Sequence, residues 1–144
     1  MAKKEKDVRF KKFGTVSFTS TSKVNDFIDY LEQGKVMGTR CSKCGLDFFP
    51  PRADCFNCLG NDLEWFDAVE DTGELLTFSK MKYGPVGFEN DLPYTIAVAD
   101  FGKYKIFGRM DNDLADEAIK IGMKVKVFAN SLENEKLNYV FKAA

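Results

Sequence analysis

Four cysteines stand in two pairs, Cys41-Ser42-Lys43-Cys44 and Cys55-Phe56-Asn57-Cys58, and their spacing is the most specific chemical signal in the 144-residue chain. Two thiolates separated by two residues lie on one tight turn and reach a single ion at about 2.3 Å. Gly45, after the first pair, tolerates the positive φ such turns often need. Two such turns complete a tetrahedron. Between Cys44 and Cys58 lie Leu46, Asp47, Phe48, Phe49, Pro50, Pro51 and Arg52, enough for one short strand that returns the second turn to face the first. This is the pattern of a zinc ribbon. Four protein sulfurs close the coordination shell, so no position remains for an activated water. The metal's expected work is therefore folding, since so small a module cannot bury enough apolar area to hold itself together. The same ligands suit a rubredoxin-like iron with an electron-transfer role, and two disulfides or free thiols are further readings.

What the chain lacks narrows the chemistry further. It has no histidine, the side chain most often used as a general acid or base near neutral pH. With the cysteines holding metal, no thiol nucleophile is left either. A formal net charge of -1 and a pI near 5.6 supply none of the summed positive potential that non-specific binding to phosphate polymers depends on, so no nucleic-acid partner is expected. Met1 to Lys12 is charged and has neither the apolar run nor the small-residue cleavage site of a secretory signal. No stretch approaches the roughly 18 apolar residues of a membrane span. A cytoplasmic protein without membrane contact is expected, and in that reducing compartment paired CxxC motifs read as metal ligands before disulfides.

The elements that must position the sulfurs follow from turn signals and hydrophobic spacing. Residues 1–20 read as an arm in which Gly14 and dense charge interrupt Val8, Phe10, Phe13, Val16 and Phe18, expected to order only against another surface. Residues 21–35 read as an amphipathic helix of about three turns, from about Ser22 to Gln33. Thr19, Ser20, Thr21 and Ser22 offer N-cap oxygens, Val24, Phe27, Ile28 and Leu31 recur at i, i+3, i+4 and i+7, and Gly34 supplies a C′ stop. Its stripe either packs on this protein's own core or docks on a partner. Residues 36–63 are the ribbon.

From residue 64 to 144 the apolar pattern changes to short runs of period two between turns. Glu64 to Val69 leads to the turn at Asp71-Thr72-Gly73, and Glu74 to Met81 reads as a strand. Lys82 to Pro93 is a long loop that keeps Tyr83, Val86, Phe88 and Leu92. Tyr94 to Phe101 and Tyr104 to Met110 form a hairpin around Gly102-Lys103. Asp113 to Ile121 is expected as a short helix with Leu114, Ala118 and Ile121 on its apolar face. Lys124 to Ala129 and Leu137 to Lys142 are the last two strands. Five strands with a helix between the third and fourth match the Greek-key barrel called the OB-fold; an SH3-like barrel or an unrelated small sheet has the same strand count.

Several runs together resemble a known family. They are Gly38-Thr39-Arg40-Cys41-Ser42-Lys43-Cys44-Gly45, the Phe49-Pro50-Pro51-Arg52 bridge, Cys55-Phe56-Asn57-Cys58, Gly73-Glu74-Leu75-Leu76-Thr77-Phe78-Ser79, Pro93-Tyr94-Thr95-Ile96-Ala97-Val98-Ala99 and Gly122-Met123-Lys124-Val125. The family is that of the zinc-ribbon/OB-fold proteins, formerly a domain of unknown function, associated with thiolases and related acyl-CoA enzymes. The resemblance runs from about Phe27 to the C-terminus. It departs at Phe56, where many members carry proline, and the arm before Ser20 lies outside it. It implies a mainly β protein with short helices: an N-terminal helix, a rubredoxin-like zinc ribbon, then a five-stranded OB-fold barrel. It further implies a non-catalytic subunit with one structural zinc, in a hetero-oligomer with a thiolase-like catalytic subunit, that helps form the site for an acyl-CoA. The partner would supply the nucleophilic cysteine and the acid/base residues, and the absence of histidine here agrees with that division. The small partner of a thiolase acting on an aromatic acylsuccinyl-CoA is one role within the family.

Given such a role, Tyr83, Phe88 and Tyr94 are candidates to flank the pantetheine or adenine of a CoA thioester, and Lys80, Lys82 and Arg109 to meet its phosphates. The bland reading is solvated charge beside buried aromatics. Phe27, Leu31, Arg40 and Arg52 are candidate partner contacts, the two arginines equally suited to offsetting thiolate charge or to being simply exposed. Fourteen phenylalanines point either to a partner surface or to a core built from Phe in place of Leu and Ile. Trp65 is read as packing at the junction of ribbon and barrel. Two other classes compete with the subunit role: a single-stranded nucleic-acid-binding ribbon/OB module, and an independent enzyme working without histidine.

Overall fold

The computed structural model describes residues 5–16 and 22–144. Its α-helix, α1 (Asp26–Glu32), is shorter than the spacing suggests. The Ser22 hydroxyl accepts a hydrogen bond from the Val24 amide, and that local turn keeps the chain out of the helix until Asn25. The other expected cap residues, Thr19, Ser20 and Thr21, lie outside the described residues. The stop forms as expected. Gly34 takes φ 80°, its N–H donates to the Leu31 carbonyl, and the Lys35 N–H donates to that of Tyr30, the two bonds of a Schellman motif. Phe27, Ile28 and Leu31 are buried. The stripe therefore packs on this protein's own core, which corrects the expectation that Phe27 and Leu31 meet a partner.

Two sheets follow the helix. In the first, β1 (Met37–Cys41) lies between β2 (Asp47–Phe48) and β3 (Leu63–Asp67), antiparallel to both. The register runs from Met37 opposite Asp67 to Cys41 opposite Leu63. The ribbon sheet thus reaches Asp67, beyond the boundary read at residue 63, because β3 finds its hydrogen-bond partners on β1 and not in the barrel. Gly38 sits where β1 passes closest to its neighbours: a Cβ there would lie 2.6 Å from the Phe48 carbonyl oxygen and nearer still to the Phe66 ring.

The second sheet is a closed barrel of β4 (Gly73–Met81), β5 (Tyr94–Asp100), β6 (Lys105–Met110), β7 (Lys124–Ser131) and β8 (Leu137–Ala143). The strand order is β4-β5-β6-β8-β7, every pairing antiparallel except β6 with β8. That connectivity is the OB-fold, as expected. The helix expected over Asp113 to Ile121 is one 3-10 turn, Asp116–Ala118. Ala115 is extended at ψ 142°, and the connection buries Ile119 while Ile121 faces solvent.

One core unites helix, ribbon sheet and barrel. Ile28, Val36, Ala68, Leu75, Ile106, Val125, Val127 and Phe141 are fully enclosed, each large apolar side chain contributing about 1.5–3 kcal/mol by leaving water. Phe10, Phe13, Phe27, Phe49, Phe66, Phe101 and Phe141 all belong to or pack against this core, so seven of the fourteen phenylalanines serve it, and Phe48 is buried in the ribbon's own cluster. Trp65 packs on Tyr30 at 5.2 Å between ring centres. The described part of the arm orders against the chain itself. Arg9 bridges Asp26 at 2.9 Å and Asp29 at 2.5 Å, Phe13 lies between Phe27 and Tyr139, and the Gly14 N–H donates to the Leu137 carbonyl.

Candidate functional site

The ribbon positions its sulfurs through backbone turns. β1 delivers Cys41, whose carbonyl accepts from the Gly45 N–H at 2.8 Å, with Gly45 at φ 69°. The second turn closes when the Leu59 N–H donates to the Cys55 carbonyl and the Cys55 N–H to that of Gly60. The four Sγ atoms all lie within 4.8 Å of one another. Cys41 and Cys58 are 3.7 Å apart, close to the edge of about 3.8 Å that a tetrahedron of 2.3 Å metal–sulfur bonds requires, and far beyond the about 2.05 Å of a disulfide. The Cys44 N–H points at the Cys41 sulfur and the Asn57 side-chain N–H at that of Cys44, at 3.4 and 3.3 Å. Such donors stabilise thiolates and orient them.

Cys55 and Cys58 are shifted in opposite directions. Backbone N–H groups, chiefly that of Cys58, lower the Cys55 thiol to about 7. The Gly60 amide pulls Cys58 the same way, but burial and the neighbouring Cys41, Cys44 and Cys55 outweigh it and push Cys58 up to about 11. One dication removes that conflict by replacing protons at all four sulfurs. Cys41, Cys44, Cys55 and Cys58 therefore fit one closed-shell tetrahedral metal, and the donor set suits zinc.

The two arginines beside the ribbon differ. Arg40 grips both oxygens of Asp47 with the Nε and Nη2 edge of its guanidinium, at 2.5 and 2.9 Å, and lies over the Phe66 ring. The Asp47 side chain is 1% exposed, so Arg40 neutralises a buried carboxylate and is committed within the chain. Arg52 has its backbone held instead: its N–H donates to the Thr39 hydroxyl, which donates in turn to the Arg52 carbonyl. Its guanidinium lies over Phe48 and Phe56.

The six residues read as CoA candidates do not converge on one cavity. Tyr94 is buried, with Arg109 stacked on it at 4.1 Å and over Phe88 at 5.6 Å. Arg109 also pairs with Asp91 at 3.0 Å, so this group fastens the loop 82–93 onto the barrel's outer face. Lys80 pairs with Asp116. Lys80 and Tyr94 line a small cleft of about 170 Å³, while Arg109 lines a larger one of about 440 Å³ beside β6 and β8, with Asp91, Asp111, Asn130 and Asn138. Lys82 and Tyr83 are exposed on the loop. Asp91, Asn130 and Asn138 carried no signal in the sequence, because closure of the barrel brings them together across long separations.

The model of the ChsH2 rubredoxin-like zinc ribbon domain matches residues 29–64, and that of the ChsH2 C-terminal OB-fold domain matches residues 67–129. A "DUF35 domain-containing scaffold protein" of Methanocaldococcus jannaschii is 28% identical over 101 residues, covering 69% of this chain and 71% of that protein. The protein of the same description from Pyrococcus furiosus is 26% identical over 103 residues, covering 72% and 74%. Among solved structures, the Ltp2-ChsH2(DUF35) aldolase superposes with a TM-score of 0.65 at 23% identity, over 80% of this chain and 89% of that one. A DUF35-family protein of unknown function from Sulfolobus solfataricus gives 0.54 at 22%, over 83% and 84%. At these identities both structures speak to the fold. Among the described residues, no helix is long and apolar enough to cross a membrane.

Proposed function

The chain belongs to the DUF35 family, built from a ChsH2-type rubredoxin-like zinc ribbon and a C-terminal OB-fold, and from that premise we propose that it is a non-catalytic accessory subunit of an acyl-CoA enzyme complex. It docks on a thiolase-type catalytic subunit and helps to form the acyl-CoA site, with one structural zinc of its own. The observation that carries this reading is the match of both modules, in order, in a chain whose four sulfurs all face one closed-shell site. The metal then stabilises the fold and performs no substrate chemistry. The absence of histidine supports the same division, in which the partner supplies the nucleophile and the acid and base. Further support comes from the archaeal relatives described as scaffold proteins and from the structural neighbour, an aldolase that pairs Ltp2 with ChsH2.

A CoA thioester is the proposed ligand of the complex. Lys82 and Tyr83 are the candidates left open to it by the fold, on the loop that Arg109, Tyr94 and Phe88 hold in place. A reducing cytoplasm, which keeps the thiolates available to metal, is the proposed setting.

The test is to co-express the chain with a thiolase-fold catalytic subunit from the same source, and to assay acyl-CoA cleavage by each alone and by both. A stable complex whose turnover depends on both supports the reading. Thiolytic turnover by this chain alone overturns it, as does a lone monomer that retards single-stranded DNA in a salt-dependent way.

A further inference from the structure

Arg52, exposed on the ribbon, has no carboxylate partner among the described residues. The Arg52 backbone is clamped at both its N–H and its carbonyl by the hydroxyl of the buried Thr39, and its guanidinium rests on two rings, 5.6 Å from the centre of Phe48 and 5.8 Å from that of Phe56. The two rings give the guanidinium apolar support while the residue stays exposed, which leaves donors for a carboxylate. Among the described residues no carboxylate lies within ion-pair distance of Arg52 or of Lys105, and the nearby Asp47 is already held by Arg40. Arg52 and Lys105 stand on a shallow groove of about 370 Å³ between ribbon and barrel, floored by Phe48, Phe49 and Tyr104. Beside it the second metal-binding turn holds out Phe56, 61% exposed, and Leu59, 84% exposed. Leu59 does so at φ 58°, a left-handed conformation in which a leucine is strained and glycine or asparagine would not be.

Resting on the accessory-subunit reading, we infer that this groove is where the catalytic subunit docks. The occupant is an extended segment of that partner carrying an Asp or Glu beside an apolar side chain. The carboxylate takes the Arg52 fork, where two parallel N–H bonds give geometry as well as charge, with Lys105 adding field from the far rim. The apolar neighbour covers Phe56 and Leu59, whose burial supplies the non-directional part of the affinity. Charge complementarity selects an acidic segment, and the pre-set guanidinium lowers the ordering cost of binding it.

The test uses the full chain with its co-expressed thiolase-fold partner, titrated as wild type and as Arg52→Glu, Arg52→Lys, Leu59→Ser and Ile121→Ser, each first checked for metal content and melting temperature. Arg52→Glu is expected to weaken assembly on the order of tenfold or more. Arg52→Lys recovers part of the loss, Leu59→Ser weakens assembly moderately, and Ile121→Ser, exposed on the β6–β7 connection and outside the groove's lining, leaves it unchanged. Free CoA does not compete. Wild-type affinity in metal-loaded Arg52→Glu overturns the docking groove while leaving the accessory role intact, and so does competition by CoA for the Arg52 fork. Failure of the wild-type chain to assemble with the partner overturns both.

Discussion

The Arg109 guanidinium lies 4.1 Å from the centre of the Tyr94 ring. Both residues were candidates for binding a ligand from solution, and the fold turns them toward each other. With Asp91 at 3.0 Å and Phe88 over the other side, they form the pin that holds the loop 82–93 against the barrel.

Arg109→Ala should therefore loosen the loop more than the barrel. The Arg109 side chain is about a fifth exposed, so the loss is expected near the upper end of a cation–π contact, about 1–2 kcal/mol. Hydrogen exchange over residues 82–93 is the measurement. Faster exchange confined to those amides is expected, and unchanged protection would contradict the pin.

Cys41→Ser should abolish metal binding and unfold the ribbon's turns, whose buried cluster of Cys41, Phe48 and Cys55 is separate from the main core. Trp65, the only tryptophan, lies on β3 opposite Thr39 and reports the event. Metal analysis of freshly reduced wild type should find one zinc per chain and a colourless protein, and a strong chelator should shift the Trp65 emission to the red. A red, iron-loaded protein, or an intact fold without metal, would count against the structural zinc.

Gly38→Ala should be costly although alanine is the better strand former. The added Cβ meets the Phe48 carbonyl at 2.6 Å, a backbone atom that cannot swing away, as well as the Phe66 ring. Overpacking of this kind costs about 1–3 kcal/mol, visible as a lower melting temperature. Adding Phe66→Leu should recover only part of it, because the carbonyl remains.

Alkaline stability should be governed by Tyr104. Burial, and then its 2.7 Å hydrogen bond to Asp71, hold its phenol well above the usual value of 10.0. A raised folded value means that the neutral form is preferred in the native state. Its contribution is therefore fully present below pH 10 and is lost as the pH climbs above it. Chemical denaturation across that range should show stability flat to about pH 10 and falling beyond, with Tyr104 ionising only as the fold opens. Tyr104→Phe, which keeps the stacking on Phe101, should cost about 1 kcal/mol at neutral pH and flatten the alkaline slope. Tyr139, also raised by burial, should keep part of the slope in place.

The metal site was legible because its geometry is local. Each CxxC pair sits on one turn, so the four ligands follow from spacing without knowledge of the rest of the chain. The five barrel strands were legible for a similar reason, since turn residues bound each run of alternating side chains. The two helices were read too long. Ser22 and Ala115 adopt non-helical local structure that hydrophobic spacing does not encode.

What the amino-acid sequence determined by itself was therefore the chemistry of the sulfurs and the order of the strands. The tertiary structure alone decided the fate of the charges. Arg40, Arg52 and Arg109 look alike in sequence, but strand pairing sets Arg40 on Asp47, barrel closure and the returning loop set Arg109 on Tyr94 and Asp91, and Arg52 is the one of the three with no carboxylate partner among the described residues. The same holds for the arm, whose Phe13 and Gly14 find Phe27 and Leu137 only once helix and barrel stand side by side. A charge or an aromatic ring is free or committed according to what lies within a few ångströms of it, and contacts between residues far apart in the chain exist only after the backbone has closed.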